Sequence, residues 1–194
     1  MPRRARTVQE RREAEEARRA RRAAVTEPDA VMEAAAAFLA VRSRSVDETR
    51  KRLVHLGYPV AIVEQVLERL VEIGYLDDEA FARAWVESRD RARPRGSTAL
   101  RRELQRKGVP DDVIIQVLEE RAATSSSTAA ADDAAIDADR AAAMRLVERR
   151  ASTLRRETDP RRRRQKAYAL LARNGFAPDV CHEVASTVAE GDPE

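Results

Sequence analysis

The chain has 194 residues, of which 37% are charged and 4% aromatic, with a formal net charge of +3. That length allows one or two compact domains or an array of small units, and the shortage of large apolar side chains argues against one deep core. A single cysteine, Cys181, excludes an internal disulfide and fits a reducing compartment. With no apolar leader and no bilayer-length apolar segment, a soluble cytoplasmic protein is the expectation.

Residues 1–26 form an Arg-rich segment in which nine arginines face four glutamates. It has almost no large apolar side chain to bury, so a disordered tail is expected, with a transient charged helix within reach. It reads either as a solvated tail or as a grip on a nucleic-acid backbone.

A first three-helix repeat is expected over residues 27–74. Thr26-Glu27-Pro28-Asp29 starts a helix over 29–42. Ser45 and Glu48 have the spacing of a capping box and open a helix over 46–56 that stops at Gly57. Pro59 opens a third helix over 60–73, ended by Gly74. A second repeat is expected over 75–123, with helices over 78–92, 97–107 and 110–121. Asp77 suits an N-cap, and Asp78 and Glu79 suit the positive end of the helix that follows. Phe81 and Trp85 lie one turn apart and read mainly as core. Leu100 and Leu104 should face inward, which turns Arg102 and Arg106 outward as a ridge.

Residues 124–135 are Ser, Thr, Ala and Asp in the main and read as a low-complexity insertion or linker. A third repeat is expected over 136–190, with a long helix from Ile136 to Glu157, a second opened by Asp159-Pro160 and a third opened by Pro178-Asp179. The repeats align on their glycines. Setting Gly57 on Gly108 places Leu53 on Leu104, Tyr58 on Val109, Ile62 on Val113 and Val66 on Val117. In the third copy Leu171, Gly175, Phe176, Val180 and Val184 take the matching places. The expected fold is therefore all-α, an extended array of three tandem three-helix repeats, which suits a long partner better than an enclosed small substrate.

Nothing points to catalysis. There is no Gly-rich phosphate loop, metal-ligand spacing is absent, and the adjacent Cys181 and His182 project about 100° apart on a helix. No catalytic, cofactor-binding or metal-binding residue is assigned. Basic residues, in contrast, cluster. One group runs from Arg89 through Arg91, Arg93, Arg95, Arg101, Arg102 and Arg106 to Lys107. A second runs from Arg140 to Lys166 and includes Arg149, Arg150 and four consecutive arginines, Arg161 to Arg164. Each is either a solvated face or a contact with a phosphate backbone or nucleoprotein.

Arg42-Ser43-Arg44-Ser45, Leu53 and Gly57-Tyr58, then Gly74-Tyr75-Leu76-Asp77-Asp78 with Phe81-Ala82, then Arg89, Gly96, Leu100, Leu104 and Lys107-Gly108-Val109, resemble the RecX family of recombinase regulators. The resemblance covers roughly residues 30–188. It implies a non-catalytic protein of three-helix repeats that binds the RecA recombinase filament on single-stranded DNA. It further implies inhibition of ATP hydrolysis and strand exchange, and control of filament growth or disassembly, with repair and the SOS response thereby restrained. On this reading Tyr75, Asp77, Asp78, Phe81 and Arg83 form or support the middle repeat's working surface. Arg89, Arg95, Arg101, Arg102, Arg106 and Lys107 meet the recombinase or its DNA. No cofactor and no membrane are implied, and a monomer is expected. The Arg-rich segment and the insertion depart from the family pattern, as does Asn174, which stands where a basic residue is expected. A general nucleic-acid-binding helical repeat protein with no recombinase partner is the alternative reading, and a helical adaptor for another protein is a third.

Overall fold

The computed structural model describes residues 7–125 and 131–190, and all regular structure among them is helical. The chain divides into two compact units at Asp78.

The first unit holds α1 (Val8–Ala23), α2 (Asp29–Leu39), α3 (Val46–Leu56) and α4 (Val60–Glu72). The last three make the first repeat. Val31, Ala35, Leu53, Val63, Val66, Leu67, Leu70 and Leu76 form one buried cluster. Full burial of such side chains contributes about 1.5–3 kcal/mol each, which offsets the ordering of a unit too small to stand on propensity alone. The start of α3 is the expected capping box. Ser45 Oγ accepts the Glu48 N–H at 3.0 Å, and the Glu48 carboxylate accepts the Ser45 N–H. Gly57 ends α3 at φ +99°, in the left-handed region.

The charged segment expected to lack order is helical from Val8 to Ala23. Ala, Glu and Arg favour helix, and Thr7 with Glu10 supplies a second capping box, a local signal that composition does not register. Helix α1 nevertheless buries no residue, as its lack of large apolar side chains dictates.

Helix α5 (Asp78–Ala92) opens the second unit from its second residue, Glu79, and α6 (Ser97–Arg106), α7 (Asp111–Ser125), α8 (Ala131–Arg149), α9 (Ala151–Arg155), α10 (Pro160–Arg173) and α11 (Pro178–Glu190) follow. The second repeat is centred on Phe81, Val86, Leu100, Leu104, Ile114 and Val117. The third is centred on Leu146, Leu154, Leu171, Phe176, Val180 and Val184. Leu53, Leu104 and Leu171, which the glycine alignment superimposes, are all fully buried.

Two expectations are corrected here. The long helix over 136–157 is interrupted at Arg150, whose N–H bonds the Val147 carbonyl three residues back and whose backbone leaves the helical region at φ −107°, ψ 5°. The insertion over 124–135 is helical at both ends, in the last residues of α7 and the first of α8; residues 126–130 lie outside the described residues.

Two features of the joint between the second and third repeats fix it most closely. The first is backbone on backbone, with the Gly96 N–H donating to the Asn174 carbonyl at 3.1 Å. A Cβ on Gly96 would lie 2.2 Å from the Gly175 carbonyl oxygen. The second is a buried ion cluster. Arg121 on α7 bonds Asp90 on α5 at 2.9 Å and Asp139 on α8 at 2.7 Å. Asp139 also accepts both the N–H and the hydroxyl of Ser97. Gly96, the N-cap of α6, has no side chain to accept the free N–H groups of that helix, so a carboxylate 42 residues away does so. Burial works against the charge of Arg121, but the hydrogen bonds and charges of Asp90 and Asp139 hold its pKa above the ordinary value.

Two glycine substitutions should separate close approach from backbone conformation. Gly96→Ala pushes a methyl group into backbone that cannot yield and should cost about 3 kcal/mol of the second unit's stability. Gly74 has open space around it but sits at φ +72°, so Gly74→Ala should cost only about 1–2 kcal/mol. Urea unfolding of both variants checks the order.

Candidate functional site

The arginines of the middle repeat expected at its working surface fall into two classes. Arg83, Arg89 and Arg95 are engaged internally. Arg83 holds Glu120 with Nε and Nη2 at 2.7 and 2.9 Å and also reaches Glu79, joining α5 to α7. The side-chain bond from Arg83, followed by one from Gln116, holds the Glu120 carboxyl down to about 2. Arg89 donates to Glu103 Oε2 at 2.6 Å, and the Trp85 indole N–H donates to the same oxygen at 2.9 Å. The Trp85 ring also receives Arg89 at 4.3 Å and Lys107 at 4.2 Å from its centroid. Arg95 bonds Asn174 Oδ1 at 2.6 Å and lies 3.6 Å from Glu103.

Arg101, Arg102 and Arg106 form the second class. All three are exposed, and none makes an ion pair with a described residue. Leu100 and Leu104 are fully buried on the opposite face of α6, so the ridge stands outward as the spacing indicates.

Phe81 is buried in the core of the second repeat and stacks on Trp85. With 4% of its surface exposed, its ring is core and presents no face to a partner. Tyr75, Asp77 and Asp78 belong to the first unit. Tyr75 is 69% exposed, and Asp77 is exposed. Asp78 is half-buried and its Oδ1 accepts the Val46 N–H at 2.9 Å, at the N-terminus of α3. Desolvation raises the Asp78 pKa, that hydrogen bond works against the rise, and Asp47 and Asp77 add to it.

Two basic clefts open beside the joint of the second and third repeats. One, of about 630 Å³, is lined by Arg95, Arg102, Arg106 and Arg173, with Glu103 and Gln105 among its walls. The other, of about 540 Å³, is lined by Arg93, Arg95, Arg149 and Arg150. Arg149 is held by the carbonyls of Arg91 and Ala92 at the end of α5. Arg93, Arg150 and Arg173 make no ion pair with a described residue. Arg95 is common to both clefts. Its partner Asn174 donates to the Leu170 carbonyl and accepts from Arg95, and the accepting role is one that a lysine or arginine at that position could not fill. Arg173 belongs to this surface but was overlooked in sequence, because its place depends on the turn at Gly175 docking onto Gly96. Of the run Arg161 to Arg164, Arg163 is buried and the other three are exposed.

Cys181 is fully buried and its thiol faces the Phe176 carbonyl; burial first, and the charge of Asp139 second, push its pKa up, which opposes a thiolate nucleophile. Among the described residues no group of His, Cys, Asp and Glu is arranged to hold a metal ion, and no helix is long and apolar enough to cross a membrane.

Comparison with known proteins places this architecture. Models of the first, second and third three-helix domains of RecX match residues 32–70, 77–118 and 137–184. The regulatory protein RecX of Prosthecochloris aestuarii is 43% identical over 83 residues, covering 43% of this chain and 55% of that protein. The regulatory protein RecX of Mycobacterium sp. strain JLS is 45% identical over 83 residues, covering 43% and 45%. The chain thus spans about half the length of the curated relatives it matches. The crystal structure of RecX from Lactobacillus salivarius agrees with a TM-score of 0.65 at 17% identity, over 83% of this chain and 96% of that one. A second crystal structure, of a regulatory protein RecX, gives 0.63 at 22% identity, over 81% and 70%. At these identities the structural likeness is one of fold.

The Arg83–Glu120 bridge makes a prediction with a definite sign. A carboxyl held down to about 2 in the folded chain, against about 4.3 when unfolded, contributes stability above the unfolded value and loses it as pH falls towards about 2. Thermal unfolding of the chain and of Glu120→Gln should therefore differ at pH 7 and converge between about pH 4 and pH 2. The bridge is exposed, so the gap should also narrow in high salt.

Proposed function

The chain belongs to the RecX family, and we propose that it is a negative regulator of the RecA recombinase that binds the RecA filament on single-stranded DNA. On this reading it inhibits the filament's ATP hydrolysis and strand exchange and limits filament growth or promotes disassembly, acting without chemistry of its own. The observation that carries the reading is the pair of clefts at the joint of the second and third repeats. There Arg93, Arg102, Arg106, Arg150 and Arg173 have no carboxylate partner among the described residues. Guanidinium forks left unpaired on a fixed frame match the phosphates and carboxylates of a nucleoprotein surface. Glu103, Gln105 and Asn174 interleave with them, which suits a partner presenting both protein and nucleic acid.

The test is ATP hydrolysis by preformed recombinase filaments, with the chain titrated well below one per protomer and a parallel series containing excess single-stranded DNA. Inhibition at low ratio that survives the added DNA is the expected result. Inhibition only near saturation, relieved by DNA, would make the chain a plain nucleic-acid-binding repeat protein. Reversing two exposed charges, Arg102→Glu with Arg106→Glu, should weaken filament binding at least about tenfold, since several charge-assisted contacts are lost. The helical circular dichroism signal should be unchanged, because neither side chain is packed. Filament affinity that survives this double change overturns the assignment of the surface.

A further inference from the structure

The Arg-rich helix α1 occupies on the first repeat the place that the second repeat occupies on the third. The comparison rests on the glycine turn between the second and third helices of a repeat. In the third repeat this turn is Asn174-Gly175. The Asn174 carbonyl receives the Gly96 N–H, and the Cβ position of Gly175 is filled by Ala99, 2.4 Å away. In the first repeat the matching turn is Leu56-Gly57. The Leu56 carbonyl receives Arg22 Nη1 of α1 at 3.2 Å, and the Cβ position of Gly57 is filled by Arg19, with its Cγ 2.6 Å away. One turn is covered by a neighbouring repeat and the other by α1, through the same carbonyl and the same glycine. Repeat arrays are covered by capping elements with a polar outer face, and the outer face of α1 is of that kind.

The two covers differ in how they are held. The second repeat is fixed to the third by the buried Arg121 cluster. Helix α1 buries no residue. Its contacts with the turn are the Arg22 hydrogen bond, the packing of Arg19 on Gly57, and the Arg22 guanidinium 5.9 Å from the Tyr58 ring centroid. Arg11, Arg12 and Arg21 on the same helix are exposed and make no ion pair with a described residue. A helix of 16 residues held mainly by two arginines, with further arginines unpaired, is one that a row of phosphates can compete for.

We propose that α1 is a latch: in the free chain it seats on the Leu56-Gly57-Tyr58 turn in place of a preceding repeat, and the phosphate backbone of a nucleic-acid strand draws it off. The seat lies wholly within the first unit, so the proposal stands apart from the clefts of the second.

Spin labels at Arg11→Cys and Val54→Cys, in the full chain with Cys181→Ala, report the seat by their separation in pulsed electron resonance. Both labelled positions are exposed. In the free chain a single narrow distance is expected. Adding Arg19→Gln and Arg22→Gln should replace it by a broad distribution while the unfolding temperature of the remaining helices holds. A 20-residue oligothymidylate, with binding confirmed by fluorescence anisotropy, should broaden the distance in the unsubstituted latch in the same way. A narrow distance that persists in the double-glutamine variant overturns the seat. A narrow distance that persists with the oligonucleotide bound overturns its release, and failure of the oligonucleotide to bind does the same.

Discussion

Arg121 is the constraint on which the second unit depends. Its guanidinium donates to both oxygens of Asp90, to Asp139, to the Ser97 hydroxyl and to the Arg95 carbonyl. Those partners come from α5, α6, α8 and the turn before α6, so four segments of two repeats converge on one cation. Removing a guanidinium from water costs several kcal/mol, and only near-complete hydrogen bonding offsets that. The cluster therefore adds little net stability and instead excludes alternatives. The inner faces of α8 are largely alanine, Ala138, Ala142 and Ala143, and could pack against α7 in more than one register. A fork with a fixed set of partners satisfies only one of them.

The same economy recurs in the first unit. Val46 and Ser97 occupy equivalent places, each the first residue of the second helix of its repeat. Each has its N–H bonded by a carboxylate from a distant helix, Asp78 in one case and Asp139 in the other. Ser45 adds a local cap to α3, whereas Gly96 adds none to α6. Gly96 is free of a side chain because the backbone of the third repeat lies against it. Close approach removes the local cap, and Asp139 restores it from across the joint.

This explains which parts were legible in the sequence. Ser45 with Glu48, Asp159 before Pro160, and the glycine stops are local rules, and they located most of the helices. The segment at Thr7 obeys the same rule, but composition, which measures burial and not helicity, points away from order there. The break at Arg150 has no glycine or proline to mark it. Asp139 and Arg121 carry no signal in sequence, because each looks like one more solvated charge on a helix rich in charge. The alignment of Leu53, Leu104 and Leu171 is visible because burial repeats with each three-helix repeat.

Sorting the arginines is the step that sequence could not take and geometry can. Composition presents Arg83, Arg89, Arg95, Arg102 and Arg106 as equals. In the fold the first three are engaged by Glu120, Glu103 and Asn174, and the last two face solvent. The engaged ones matter to the surface all the same. Arg95 forms a wall of both clefts, its backbone carbonyl is bonded by Arg121, and its side chain is tied to Asn174 of the third repeat. The spacing between the unpaired arginines on either side of the joint is thus tied to Arg121, whose side chain is itself almost wholly buried. A change at Arg121 would alter both clefts together, whereas a change at Arg102 alters one side chain on an intact frame. Binding by such a surface depends as much on the rigidity of the joint as on the number of its positive charges.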